Sequence, residues 1–245
     1  MNRALVTLGV VLALAGMSTA ASVVIDNFES FKLRTDVPPG LGGSGIIIPP
    51  DANPTTTTET GLSPANVIGG VRRTTARDLL TNSQLVSANI FDPAGAPVDN
   101  ILSLSANDDA QGQWLLEYGV AAGGTAPGDL TAAGGADAIV FTFVTADHSA
   151  SVDMWASDGT NSAGPVNKPT PGPGTLTFLF SEFPGVDFTS IDDLSFRING
   201  VLAGDYSVSL VETRYHDDLV PEPVTMAALM MGIGGLGGYI RRRRR

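Results

Sequence analysis

The sequence predicts an all-β body folded as an antiparallel β-sandwich. Three observations carry this expectation. Short apolar runs alternate with turn-rich gaps along the middle of the chain, and glycine (29) and proline (16) are abundant among its 245 residues. Several runs alternate with a period of two, as strands with one buried face do. Charged residues make up only 16%. Thr, Ser, Asn and Gly stand where long helices would want Lys and Glu.

Residues 23–28, VVIDNF, read as a first strand. Residues 37–64 are rich in Pro, Gly and Thr. They are expected to form a long surface excursion with little regular structure beyond one short strand over 46–48. Further strands are expected over 84–90, 101–105, 113–118, 138–144, 150–156, 175–180, 193–198 and 207–213. Trp114, Leu116 and Tyr118 share one face of their strand and read as core. Val152, Met154 and Ala156 oppose Ser151, Asp153 and Trp155. Tyr206, Val208 and Leu210 oppose Ser207 and Ser209. Val152, Met154, Phe178, Val208 and Leu210 are therefore expected to be buried. The sequence carries no internal repeat. One domain is expected over 22–215, followed by a short linker, 216–219.

The net charge of -11 is unevenly spread. Six of the 14 basic residues lie in the two ends, leaving eight against 24 acidic residues in the body. Such a body repels phosphate backbones, so nucleic acid is not an expected partner. The chain has no cysteine. Disulfides, thiolate catalysis and Cys-ligated metals are thereby excluded. A domain near 200 residues can be stabilised by its core alone.

The ends differ from the body. Residues 1–21, MNRALVTLGVVLALAGMSTAA, have a positive start at Arg3, a short apolar run and small residues at a cleavage position, the pattern of a signal peptide. Near the other end, residues 224–240 contain no charge and would span about 25 Å as a transmembrane helix. Arg241, Arg242, Arg243, Arg244 and Arg245 would stop translocation and stay on the cytoplasmic side. Before the helix, Pro221 and Pro223 hold Glu222 in an extended tetrapeptide, VPEP, suited to a processing enzyme's cleft. Residues 220–245 resemble the PEP-CTERM sorting signal of bacteria: Pro-Glu-Pro, a short glycine-rich membrane helix and a terminal arginine cluster. The resemblance implies that Pro221, Glu222 and Pro223 are read by exosortase-type processing machinery. It also implies transient anchoring in the inner membrane and delivery to the cell envelope or extracellular matrix.

A second resemblance concerns the body. The opening IDNFE (25–29), the stretches DLTAAGGADAIVFTF (129–143) and SEFPGVDFTSIDDLSFRING (181–200), and a closing strand over 206–213 follow one another in an order similar to the galactose-binding-like jelly rolls. That group includes many carbohydrate-binding modules. Its members bind glycans, bind other ligands or serve only as structure, so the fold alone does not decide function. Modules of this kind often hold a structural Ca²⁺ where first and last strands meet, and by position Asp26, Glu29 and Glu212 are the candidate ligands. Asp153, Asp158 and Asn161 with Gly159 form another oxygen-rich stretch, without EF-hand spacing.

Catalytic chemistry is not written in the chain. HExxH, G-x-S-x-G, the P-loop and a strand-borne GxGxxG are all missing. The histidines, His148 and His216, fall in an expected turn and linker. Asp108-Asp109, Asp192-Asp193 and Asp217-Asp218 are neighbours, and adjacent carboxylates on a strand point to opposite faces. Trp155 is the best candidate for glycan contact, because it shares the polar face of its strand with Ser151 and Asp153. The reading is a non-enzymatic exported protein with a structural role in the envelope or matrix. The alternative is a glycan-binding module with extracellular polysaccharide as partner. An extracellular hydrolase is the outsider, and would need His148 gathered with two carboxylates.

Overall fold

The computed structural model describes residues 22–29, 44–48, 54–80, 85–91 and 100–216. The expected signal peptide and the sorting signal with its membrane helix lie outside these residues. Among the described residues no helix is long and apolar enough to cross a membrane.

Thirteen strands are described: β1 (Val24–Asp26), β2 (Ser44–Ile48), β3 (Thr55–Thr60), β4 (Val71–Asp78), β5 (Val86–Phe91), β6 (Ile101–Ala106), β7 (Gln111–Gly119), β8 (Ala138–Ala146), β9 (Ser151–Ser157), β10 (Ser162–Pro169), β11 (Gly174–Leu179), β12 (Asp193–Leu202) and β13 (Asp205–Arg214). They form two antiparallel sheets. One runs β11-β8-β13-β6-β5-β2, with β1 also on β13. The other runs β10-β9-β12-β7-β4-β3. The sandwich expected from alternation is therefore the fold.

The sheets meet through aromatic side chains. The Phe141 ring of β8 meets Phe196 of β12 edge-on at 4.7 Å between centroids. Trp114 of β7 packs edge-on against Tyr206 of β13, and its indole N–H donates to the Ser87 carbonyl of β5 at 2.8 Å. Burying each large side chain contributes about 1.5–3 kcal/mol. Room for the indole comes from glycine: a Cβ on Gly112 would lie 2.2 Å from the Trp114 ring. Trp114 and Tyr118 are core, as their shared face predicts, and so are Val152, Met154, Phe178 and Val208.

Leu210 departs from expectation and is only half-buried. The pairing of β13 with β8 shifts register between Val208 and Leu210. The irregularity breaks the period of two, and Val211 takes the inward position instead. Three strands were not expected. β3 falls within 37–64 and is a threonine-rich edge strand paired with β4. β4 turns Arg72, Thr74, Ala76 and Asp78 inward, so no apolar alternation marks it. β10 is an edge strand containing Gly164 and Pro165, residues that weaken a strand reading.

Arg72 is wholly buried between the sheets. Its Nη1 donates to Asp26 at 2.7 Å, and its Nε and Nη2 donate to Glu59 at 2.9 and 2.7 Å. Tyr118 donates its hydroxyl to Asp26 at 2.8 Å, and the Phe28 N–H donates to the other carboxylate oxygen. Burial opposes the Arg72 charge, but Asp26 and Glu59 outweigh it and hold the guanidinium above its ordinary pKa. The cluster ties β1, β3, β4 and β7 together.

Candidate functional site

The outer face of the six-stranded sheet is organised by register. Arg197 of β12 lies opposite Leu115 of β7 on one side and Asp153 of β9 on the other. Leu115 lies opposite Thr75 of β4, and Asp153 opposite Asn167 of β10. Thr75, Leu115, Arg197, Asp153 and Asn167 thus form one row across five strands. The next row on the same face holds Arg77, Gln113, Asn199 and Ser151. On the other side a row holds Arg73, Glu117, Ser195 and Trp155. Beyond it stand Asp193 and Ser157. Rows on one face are spaced about 7 Å apart along the strands.

Residues drawn from these rows line a groove of about 610 Å³. Trp155, Arg197, Arg77, Gln113, Leu115 and Asp193 are among the residues lining it. The volume lies within the range of small-molecule sites. Trp155 is half-buried and keeps part of its ring in the groove. The Arg197 guanidinium lies over that ring, 4.8 Å from its centroid. On the other side, β10 shifts register between Ala163 and Val166. Gly164, within that irregularity, has φ +118°, and a Cβ there would fall 2.9 Å from the Trp155 Cα. Arg197 thus lies over one face of the ring, and the β10 backbone passes close to the Trp155 backbone and ring edge.

Asp153 organises the polar part of the floor. One carboxylate oxygen accepts from Arg197 Nε and Nη2 at 3.0 and 2.6 Å and from the Asn199 amide at 2.8 Å. The other accepts from the Asn167 amide at 2.5 Å. Asn199 in turn accepts from the Gln113 amide at 2.8 Å. Burial pushes the Asp153 carboxyl up, but these donors outweigh it and hold the group below the ordinary carboxylate range. The network fixes Arg197, Asn199 and Gln113 before any ligand arrives, which lowers the ordering cost of binding.

The residues named for calcium have protein partners. Both Asp26 oxygens are engaged by Arg72, with Tyr118 and the Phe28 N–H completing their shell. Glu29 accepts from the Asn100 N–H, and Glu212 is paired with Arg214. Among the described residues no group of three or more His, Asp or Glu side chains is placed to hold a metal. Asp158, from the second oxygen-rich stretch, accepts instead from the Thr160, Asn161 and Asp187 backbone N–H groups. His148 sits on the turn after β8, exposed beside Asp147 and away from the groove lining. His216 pairs with Asp137. Pro221, Glu222, Pro223 and Arg241 to Arg245 lie outside the described residues.

Sequence reasoning placed Trp155 on this face but missed Arg77, Arg197 and Gln113. Arg77 had no strand to sit on, because β4 was unseen. The other two stood on expected strands, at outward positions that carry no mark of their own.

No family model matches the chain, and no curated protein matches it either. Several solved structures are similar. CtCBM11 in solution shares 14% identity at a TM-score of 0.41, covering 82% of this chain and 98% of that one. A family 11 carbohydrate-binding module from Clostridium thermocellum, in complex with a β-1,3-1,4-mixed-linked tetrasaccharide, shares 14% identity at 0.34, covering 71% and 96%. A carbohydrate-binding module specific for non-crystalline cellulose, CBM28, shares 12% at 0.34, covering 52% and 79%. Likeness at this level bears on neither ligand nor residue roles.

Proposed function

We propose that the body is a non-catalytic glycan-binding module whose ligand lies along the outer face of the six-stranded sheet, against Trp155. The observation that carries this reading is the half-buried Trp155 ring, with Arg197 over it, lining a groove of about 610 Å³. Sugar rings present apolar C–H faces that stack on aromatic faces. Their hydroxyls need donors and acceptors beside that platform, and the Gln113 and Arg197 side chains in the lining supply them. A purely structural role, the first reading of the sequence, asks for no aromatic ring in a preorganised groove. A hydrolase would need a general acid within reach of a second carboxylate, and the groove lining contributes Asp193 alone. A glycan array probed with the purified protein tests the reading. Wild type should bind a subset of glycans and Trp155→Ala should lose them.

We further propose that the body is exported and that residues 220–245 act as a PEP-CTERM-type signal. The support is the order of parts in the sequence: VPEP, an uncharged apolar stretch, five arginines. The arginines halt translocation, since even one at mid-membrane costs at least about 2.5 kcal/mol. The helix then holds VPEP at the outer surface for an exosortase-type enzyme. Glu222→Ala should leave insertion intact and make the full-length protein accumulate in the membrane. Mass spectrometry of the mature protein decides it: a C-terminus that still carries Arg245 contradicts processing.

A further inference from the structure

Among the described residues, the cations are nearly all committed. Arg72 pairs with Asp26 and Glu59, Arg73 with Glu117, Lys168 with Glu182, Arg197 with Asp153 and Arg214 with Glu212. Among the described residues Arg77 is the one cation without a carboxylate partner. It is exposed, and it lines the groove. In a body with 24 acidic residues against eight basic ones, partners for it are plentiful. Arg197 adds a second donor: Asp153 takes its Nε and Nη2, while its Nη1 makes no hydrogen bond within the described protein. Arg77 and Arg197 stand in neighbouring rows, two strands apart, which places their Cα atoms about 12 Å from each other. The groove's acidic side chain, Asp193, lies four residues from Arg197 along β12, about 13 Å toward the opposite end. The groove therefore has a cationic end and an acidic end.

Building on the glycan-groove reading, we propose that the ligand is an acidic polysaccharide, and that Arg77 receives the carboxylate of a uronic acid unit while a neighbouring sugar stacks on Trp155. The planar guanidinium fork matches a carboxylate with two parallel hydrogen bonds, which a hydroxyl cannot accept in the same way. Arg197, already fixed on Trp155, offers Nη1 to an adjoining unit. The excess of carboxylates elsewhere on the body repels the same polymer, so a polyanion is confined to this end of the groove. Asp193 opposes a charged unit at the far end, so an acidic chain leaves the groove before reaching it.

The test is affinity electrophoresis of the full-length protein at about 0.15 M salt, where longer-range attraction is screened. The probes are alginate, dextran sulfate and an uncharged β-glucan. Alginate should retard wild type most. Arg77→Gln should weaken alginate binding at least about tenfold and β-glucan binding far less. Arg77→Lys, which keeps the charge without the fork, should fall between. Because Arg77 is exposed, its variants should unfold at the wild-type denaturant concentration. β-Glucan bound as tightly as alginate and lost in Trp155→Ala overturns the acidic preference while leaving the groove as a glycan site. Alginate binding indifferent to Arg77→Gln overturns the role of Arg77. Binding of dextran sulfate without alginate overturns the carboxylate assignment. Binding of none of the three overturns the groove reading and this inference with it.

Discussion

Asp26–Arg72 and Asp153–Arg197 are built from the same two side chains, and each arginine sits on a strand of the same sheet. They face opposite ways. Both partners of the first pair are fully buried, whereas the Arg197 side chain is 36% exposed over an Asp153 that is 7% exposed. Inside, the cluster is closed: Arg72 also binds Glu59, and Asp26 also accepts from Tyr118 and the Phe28 N–H. Outside, the carboxylate is saturated by Arg197, Asn199 and Asn167, but the guanidinium keeps one nitrogen and a face for something else. The same ion pair serves to hold four strands in one place and to prepare a surface in the other. Solvent access makes the difference, through what each charge would lose if its partner were removed.

The largest consequence falls on the inner pair. Arg72→Met leaves Asp26 and Glu59 buried without their cation and should destabilise the body by about 3–5 kcal/mol. Urea unfolding followed by tryptophan fluorescence measures this. A loss under about 1 kcal/mol would mean that the cluster is hydrated and that the contrast with the outer pair is false. A companion variant sharpens the point. Asp26→Asn and Glu59→Gln added to Arg72→Met remove the stranded charges and should recover part of the lost stability, since the penalty belongs to unpaired buried charge. If the triple variant is less stable than Arg72→Met, the charges contribute through packing instead.

The outer pair should respond more weakly and with pH. Asp153→Asn removes hydrogen bonds to a charged group and should cost about 1–2 kcal/mol at neutral pH. The Asp153 carboxyl titrates below its ordinary value of 3.8 in the folded protein. The unfolded chain therefore binds the proton first as pH falls. The stabilisation from this group is complete above about pH 4 and is lost as pH drops through the folded-state value. Wild type should lose more stability than Asp153→Asn between pH 6 and pH 2. Parallel acid limbs for the two proteins would show that Asp153 is not held in this way.

How much of this was legible follows from where the partners lie along the chain. β7 and β9 were readable because Trp114, Leu116 and Tyr118, or Val152, Met154 and Ala156, alternate with polar residues, and the same alternation sent Trp155 outward. β4 was unreadable because its inward residues include Asp78 and Arg72, and the partners of Arg72, Asp26 and Glu59, come from other strands. A charge buried against a distant opposite charge looks, in sequence, like a charge at the surface. With β4 unseen, Arg77 could not be assigned to a face. Leu210 was misplaced because an irregularity in a strand leaves no local mark. Asp153 was legible on the polar face beside Trp155, but its partners were not. Its donors Asn167 and Asn199 lie 14 and 46 residues away and meet it only through register.

The central claim is that the outer pair braces Trp155 as a sugar platform while the inner pair holds the fold. Trp155→Ala separates the two roles most directly, with glycan binding and urea unfolding measured on the same purified protein. The expected result is loss of glycan binding by at least about tenfold, roughly 1.4 kcal/mol or more. The unfolding midpoint should move far less than for Trp114→Ala, whose fully buried ring is expected to cost about 3–5 kcal/mol. Glycan binding that survives Trp155→Ala unchanged, or a variant that unfolds as readily as Trp114→Ala, would contradict the account.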